Sequence, residues 1–254
     1  MNLKIEFGGW ELENRLKTNI RYGTKNIHPW IIDLLKPTIN EKILDVGCGS
    51  GEQVIPFAKE TKNKSEIIGI DLSKKLLNLA RKEAEEKGVK IKLLRHDANN
   101  NLPFDDVYFD AVTCCFTIYH IKNRLNLINE FHRILKSGGR LLIIGPDPEN
   151  NQEMFDFFKK VNIKISQMPR DLFKNEIGNN LEKKFSKEKY SVFKNKVNFP
   201  STTDFVSYIK MTQLFLDNVP SGKQKDVCKQ LEHIIEKNNE LTLTKIVGAY
   251  TAWK

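Results

Sequence analysis

Glycines and carboxylates follow the ends of three consecutive predicted strands in the first half of the chain. The short apolar run 43–46 leads into the turn GCGSG at residues 47–51, Asp71 ends the second run, and Asp97 follows the third. Ligands of open α/β sheets lie at the carboxyl ends of the strands. Glycine lets a backbone approach a ligand closely. We therefore expect a glycine turn beneath the ligand, ribose hydroxyls on Asp71 and an adenine amino group near Asp97.

The elements that must position these residues alternate along residues 43–144. The predicted strands are 43–46, 67–70, 91–94, 109–116 and 140–144, and the predicted helices are 52–59, 73–87 and 123–136. Ser73 is expected to cap its helix, and Gly88 and the pair Gly138-Gly139 are expected to end theirs. This alternation predicts a parallel sheet with helices on both faces.

The last third of the chain has a different pattern. Predicted helices cover 152–165, 204–216 and 223–237, and predicted strands cover 190–197 and 241–253. Residues 169–184 read as polar and irregular. Met154, Phe155 and Phe158 are expected to form the core-facing stripe of the first of these helices. The two late strands would complete the sheet, and 149–188 would form an inserted cap.

Composition is that of a folded protein rather than a disordered one. The 254 residues include 41 Lys and Arg against 32 Asp and Glu, a net charge of +9, with 40% hydrophobic residues. Lys outnumbers Arg by 33 to 8 and is spread along the chain, which favours a solvated surface over a nucleic-acid footprint. The four cysteines have neither disulfide-framework nor zinc-site spacing, and no metal site is expected. Without a signal-like or membrane-spanning run, we expect a cytoplasmic chain that does not insert into membranes.

Five segments together resemble the class I S-adenosylmethionine-dependent methyltransferases. They are LDVGCGSG (44–51), GIDLS (69–73), RHDANNNLPF (95–104), FDAVTCCFTIYHI (109–121) and LINEFHRILKSGGRLLI (127–143). The resemblance implies an α/β, Rossmann-like seven-stranded sheet whose last strand is antiparallel. It also implies S-adenosylmethionine as cofactor and S-adenosylhomocysteine as product.

The resemblance carries cofactor roles to matching residues of this chain. Methionine would lie along the turn that includes Gly47, Cys48, Gly49 and Gly51, with Asp45 toward its amino group. Asp71 would hold the ribose hydroxyls. The adenine would contact a further set, Leu72, Asp97, Ala98 and Asn99. Cys115 and Phe116 would lie beside the sulfonium.

Dinucleotide-dependent oxidoreductases use a similar turn and are the rival enzyme class. Their fingerprint is G-x-G-x-x-G, whereas the glycines here run G-x-G-x-G and are followed by Glu52. An acid at the start of a helix repels a pyrophosphate but tolerates a zwitterionic methionine. The sequence therefore favours the methyltransferase interpretation.

Catalytic candidates follow the fourth predicted strand, where the acceptor should lie. His120 suits proton exchange near neutral pH and could be a general base, a substrate contact or a packing residue. Tyr119 is a second candidate. Gln53 could lie at the rim of the cofactor site or be an ordinary surface residue. Tyr22, and Trp10 with it, could close the site from an N-terminal lid or pack a terminal helix.

These residues predict a single methyltransferase domain over 1–254. Its parts would be a helical lid (1–28), a cofactor-binding core (29–148), a helical cap after strand 5 (149–188) and C-terminal strands and helices (189–254). The leading function is methylation of an O, N or C nucleophile of a small molecule. RNA or protein methylation guided by the positive charge is the alternative, and a non-catalytic methyltransferase-like subunit is a third. The fourth strand ends in CCFT, unlike the Asn/Asp-Pro-Pro-aromatic turn of enzymes that methylate base nitrogens. The oligomeric state is not predicted.

Overall fold

A computed structural model describes residues 18–19, 21–165, 172–238 and 240–254. The strands are β1 (Lys42–Val46), β2 (Glu66–Asp71), β3 (Lys92–Arg95), β4 (Phe109–Cys115), β5 (Leu135–Pro146), β6 (Lys187–Asn198) and β7 (Thr242–Trp253). The α-helices are α1 (His28–Leu35), α2 (Val54–Glu60), α3 (Lys74–Glu86), α4 (Arg124–Ile134), α5 (Gln152–Lys160), α6 (Asn179–Lys184), α7 (Thr202–Lys210), α8 (Gln213–Asn218) and α9 (Gln224–Asn238). Short 3-10 turns cover Ile118–His120 and Ser221–Lys223, and a π-helix covers Leu172–Gly178.

The strands form one seven-stranded sheet in the order β3-β2-β1-β4-β5-β7-β6. The pairs of β1 with β2 and β4, of β2 with β3, and of β4 with β5 are parallel. β7, the last strand of the chain, is antiparallel to β5. The predicted fold class is confirmed, including the antiparallel last strand. Because β1 to β5 are parallel, their carboxyl ends share one edge of the sheet.

The described residues divide into two compact units. The core unit comprises those within Ile27–Pro148, Asp171–Val192 and Val247–Lys254, and the helical unit comprises those within Met1–Asn26, Glu149–Arg170 and Phe193–Ile246. The expected cap at 149–188 is therefore divided: α5 lies in the helical unit, whereas the π-helix and α6 lie in the core unit.

The core unit has a hydrophobic cluster on each face of its sheet. Successive side chains of a strand point to opposite faces, so Ile43 of β1 joins one cluster and Leu44 joins the other. Buried residues of α1, α2 and α3 complete the Ile43 cluster. Buried residues of α4, the π-helix and α6 complete the Leu44 cluster. Helices thus cover both faces, as predicted.

The helical unit is built around its own aromatic cluster. Met154, Phe157 and Phe158 of α5 are buried with Phe205 of α7 and Phe215 of α8. The expected stripe was wrong at one position, since Phe157 rather than the half-buried Phe155 completes it. Tyr22 also packs in this unit, with its ring centroid 6.1 Å from that of Phe199.

At two places tertiary contacts override the local signals of the sequence. α4 ends at Ile134 rather than at the predicted residue 136, because Leu135 pairs with Phe109 and begins β5. The Gly138 N–H instead donates to the carbonyl of Lys254 at 2.9 Å. Residues 172–184 are helical rather than irregular, because Phe173, Ile177 and Leu181 bury their side chains in the Leu44 cluster. Ser73 caps α3 as predicted, accepting the Leu76 N–H at 3.3 Å.

Among the described residues, none of the helices is long and apolar enough to cross a bilayer. The same part of the chain contains no group of three His, Cys, Asp or Glu side chains that could hold a metal ion.

Candidate active site

The glycine turn between β1 and α2 is held against the end of β2. The N–H groups of Gly47 and Cys48 both donate to the carbonyl of Ile70, at 2.8 and 3.0 Å. Gly47 has a φ of 76°, which glycine adopts without strain. A Cβ at Gly47 would also overlap the hydroxyl of Thr117. Thr117 follows β4, and its hydroxyl lies within hydrogen-bond distance of two carbonyls, that of Cys115 at 3.1 Å and that of Gly47 at 3.3 Å. No local pattern predicts the contact with Gly47.

The carboxylate of Asp71 connects the turn to the start of α3. Its Oδ2 accepts the Gly49 N–H at 2.9 Å, and its Oδ1 accepts the Ser73 N–H at 2.8 Å. A carboxylate oxygen can accept two hydrogen bonds. Each oxygen of Asp71 can therefore also accept one hydroxyl of a ribose. Asp71 fixes the shape of the turn as well as offering the predicted ribose contact, and Leu72 beside it is exposed.

Asp97 is fixed at the end of β3 by its own neighbours. Its Oδ1 accepts from the backbone N–H of Asn99 at 2.9 Å and from the Asn99 side chain at 2.8 Å. The backbone N–H of Asn99 is the largest cause that lowers the pKa of the Asp97 carboxyl. The Asn99 Oδ1 accepts the Lys122 N–H at 2.9 Å, which ties this loop to the start of α4. Asp97 therefore presents a fixed, charged acceptor, while Ala98 packs against the Leu44 cluster.

Asp45 is a buried acid near the centre of the sheet. Its Oδ1 accepts the hydroxyl of Thr113 on β4 at 2.6 Å. Burial raises the pKa of the Asp45 carboxyl to about 7, and the Thr113 hydrogen bond only partly opposes this. A cationic amino group placed beside Asp45 would favour its charged form. Burial also raises the pKa values of the Cys48 and Cys115 thiols, so both stay neutral.

Phe116, the residue after β4, has a backbone conformation that is unusual for its type. Its φ is 55°, and its N–H donates to the Ile144 carbonyl at 2.8 Å. Bulky residues rarely adopt this left-handed region, and such strain concentrates at functional sites. Phe116 is 37% exposed although the five residues before it, 111–115, are buried. Strain and exposure together support a ligand contact for Phe116.

We predict that Phe116→Gly is more stable than Phe116→Ala by about 1 kcal/mol. The left-handed conformation costs alanine more than it costs glycine, so the usual order of these two residues is reversed. Thermal unfolding of both variants measures the difference. A Phe116→Ala protein at least as stable as Phe116→Gly would show that the strain is absent.

The remaining predicted site residues have the following positions. His120 is exposed and Tyr119 is half-buried, with their ring centroids 4.3 Å apart in the 3-10 turn after β4. Gln53 is buried rather than exposed at the rim. Tyr22 belongs to the helical unit, and Trp10 lies outside the described residues. The core unit therefore brings together Asp45, the glycine turn, Asp71, Asp97 and the end of β4 at one sheet edge.

Residues 43–139 match the family model described as "Methyltransferase domain". A demethylmenaquinone methyltransferase of Lactiplantibacillus plantarum is 35% identical over 106 residues, which are 41% of this chain and 45% of that protein. The chain therefore spans less than half the length of this curated relative. The methyltransferase domain that the five segments imply is confirmed over the residues that the family model matches.

Two solved structures support the fold. A putative methyltransferase of Bacillus halodurans has a TM-score of 0.63 and 22% identity, with 89% of this chain and 97% of that chain covered. The YcgJ protein of Bacillus subtilis has a TM-score of 0.62 and 19% identity over the same shares. At these identities the likeness extends to the fold alone.

Proposed function

We propose that this chain, which carries a class I S-adenosylmethionine-dependent methyltransferase domain, transfers a methyl group to a nucleophilic atom of a small molecule. The observation that carries the proposal is the Asp71 carboxylate, which joins the glycine turn to α3 and retains acceptor capacity on both oxygens. Asp45 lies near the carboxyl end of β1, and Asp97 and Phe116 follow β3 and β4. At this shared end of the sheet they would contact the two ends of a nucleoside sulfonium. The donor set therefore fits S-adenosylmethionine.

The residues of this chain act by positioning. When bound, the sulfonium supplies the activated methyl group. Asp71 would orient the ribose, Asp97 with Ala98 and Asn99 the adenine, and Asp45 with the glycine turn the methionine. Cys115 would lie beside the sulfur as a neutral thiol because it is buried. Orientation of this kind contributes about 7–11 kcal/mol of barrier reduction in well-aligned systems.

A small-molecule acceptor is favoured over RNA or protein by the end of β4. Cys115 is the last residue of β4, and Phe116 and Thr117 follow it. The Phe116 N–H donates to the backbone carbonyl of Ile144. The demethylmenaquinone relative matches only 41% of this chain, so its acceptor is not transferred to this protein.

Methyl transfer from tritium-labelled S-adenosylmethionine tests the proposal. The chain is incubated with a cell extract separated into small molecules, RNA and protein. We expect label in the small-molecule fraction with the wild type and none with Asp71→Ala. Label recovered in RNA or protein would support the alternative function instead.

His120 is proposed to contact the acceptor at the exposed end of the 3-10 turn. We expect His120→Gln to raise the acceptor concentration for half-maximal rate about tenfold, the effect of losing one hydrogen bond. The rate at saturating extract should stay within about threefold, because a solvent-exposed imidazole is replaceable by water. Rates measured over a serial dilution of the extract give both the acceptor concentration for half-maximal rate and the rate at saturation. A loss of more than about 100-fold at saturation would instead identify His120 as the general base.

A further inference from the structure

A buried polar network lies directly beyond β5 in the core unit. Asp147 is buried, and its Oδ2 accepts the hydroxyl of Tyr190 at 2.5 Å. The ammonium of Lys174 lies 3.4 Å from the same oxygen and 5.2 Å from the centroid of the Tyr190 ring. A buried carboxylate is costly unless it is paired in this way. Asp147 and Tyr190 are 43 residues apart, so no local sequence pattern predicts this network.

Glycines in the neighbouring strands leave the space that the rings of this network occupy. A Cβ at Gly248 of β7 would overlap the Tyr190 hydroxyl, and one at Gly145 of β5 would lie 2.7 Å from the Phe173 ring. Phe173 and Tyr250 complete a group of three rings, with the Tyr190 and Tyr250 centroids 4.7 Å apart. The Tyr190 hydroxyl can therefore lie beside Asp147 only because residue 248 has no side chain.

The π-helix that carries Lys174 is fixed to the core unit. Arg124 of α4 makes two hydrogen bonds to Glu176, at 2.6 and 3.1 Å. π-Helical turns are rare and occur frequently at functional sites. The Lys174 side chain is 45% exposed, so the network reaches solvent on that side.

Asp147 lies at the same end of the sheet as the residues proposed to bind the cofactor. Asp147 follows the carboxyl end of β5, and β5 neighbours β4, whose end carries Phe116. Adjacent strands are about 4.8 Å apart, so β1 and β5 are separated by about 10 Å. That distance is comparable to the length of a small acceptor. Unlike the exposed His120, Asp147 is buried and Tyr190 is half-buried.

We propose that Tyr190 and Asp147 form the acid–base pair that takes the proton from the methyl acceptor, with Lys174 balancing the charge of Asp147. This inference rests on the proposed function. The acceptor atom forms a bond to the methyl carbon as the sulfur–methyl bond breaks, and the electron pair of that bond stays on sulfur. The acceptor proton passes to the Tyr190 oxygen, and the Tyr190 proton passes to the Asp147 carboxylate. Tyr190 is then a catalytic residue, and Lys174 is a positioning residue.

Tyr190→Phe tests the proposal, with Tyr250→Phe as the matched control in the same ring group. General acid–base catalysis contributes about 10²–10⁴-fold. We therefore expect Tyr190→Phe to lower the saturated rate of label transfer to the small-molecule fraction at least 100-fold. The concentration of extract for half-maximal rate and the affinity for S-adenosylhomocysteine should stay unchanged. Tyr250→Phe should keep the rate within about threefold.

Asp147→Asn decides the case if Tyr190→Phe does not fold. It keeps the side-chain size and can still accept the Tyr190 hydroxyl, but it cannot take the proton, so the same loss is expected. Variants that keep the wild-type rate, or an equal loss in Tyr250→Phe, would overturn the proposal in favour of a packing role. A folded wild type that labels no small molecule would instead overturn the proposed function.

Discussion

Replacing Asp71 with alanine is expected to weaken S-adenosylhomocysteine binding by about 100-fold or more. Each hydrogen bond from a ribose hydroxyl to a carboxylate contributes about 1.5–3 kcal/mol, and two such bonds are lost. The variant also removes the carboxylate to which the Gly49 and Ser73 N–H groups donate in the wild type. Isothermal titration calorimetry measures the affinity.

Glu86→Gln is the matched control for Asp71→Ala. Glu86 is an exposed carboxylate at the far end of α3, paired with Lys82 at 3.7 Å, so the control removes the same charge away from the site. Its affinity should equal that of the wild type. Equal affinities in wild type and Asp71→Ala would remove Asp71 from the site.

Replacing Asp45 with asparagine is expected to weaken cofactor binding while stabilising the protein above pH 7. Burial raises the pKa of the Asp45 carboxyl from 3.8 to about 7. The folded state therefore holds this proton more tightly than the unfolded state. The contribution of Asp45 to stability is fully present below pH 4 and is lost as the pH rises through 7. Asparagine avoids this loss because it stays neutral and can still accept the Thr113 hydroxyl.

The expected gain at pH 8 is on the order of 2–4 kcal/mol, whereas at pH 4 the two proteins should be equally stable. Affinity for S-adenosylhomocysteine should fall about tenfold or more, because the amino group loses a charged partner. Urea unfolding at both pH values and calorimetry measure the two effects. Asp33→Asn, at an exposed position of α1, should show neither. A stability difference that is independent of pH would contradict the account of Asp45.

The strand ends that carry the cofactor residues could be predicted because the signals are local. The turn at 47–51 needs glycines, as the φ of 76° at Gly47 confirms. Asp71 and Asp97 follow apolar runs whose carboxyl ends must share an edge in a parallel sheet. Ser73 has a side chain that caps a helix within three residues of itself. In each case neighbouring residues in the sequence determine the structure.

The parts that could not be predicted depend on residues far apart in sequence. Thr117 reaches the Gly47 carbonyl across 70 residues, and Tyr190 reaches Asp147 across 43. The π-helix lies in a polar stretch and is stabilised by burial of Phe173 and Ile177. Helix propensity did not indicate it, because packing against the sheet decides its conformation. The end of α4 was wrong for the same reason, since sheet pairing begins at Leu135.

Calorimetric titration of the wild-type chain with S-adenosylhomocysteine, and separately with a nicotinamide dinucleotide, measures which of the two cofactor classes this chain binds. Saturable uptake of one S-adenosylhomocysteine per chain is predicted, with no heat from the dinucleotide. A folded chain that does not bind S-adenosylhomocysteine, or that binds the dinucleotide more tightly, would show that S-adenosylmethionine is not its cofactor.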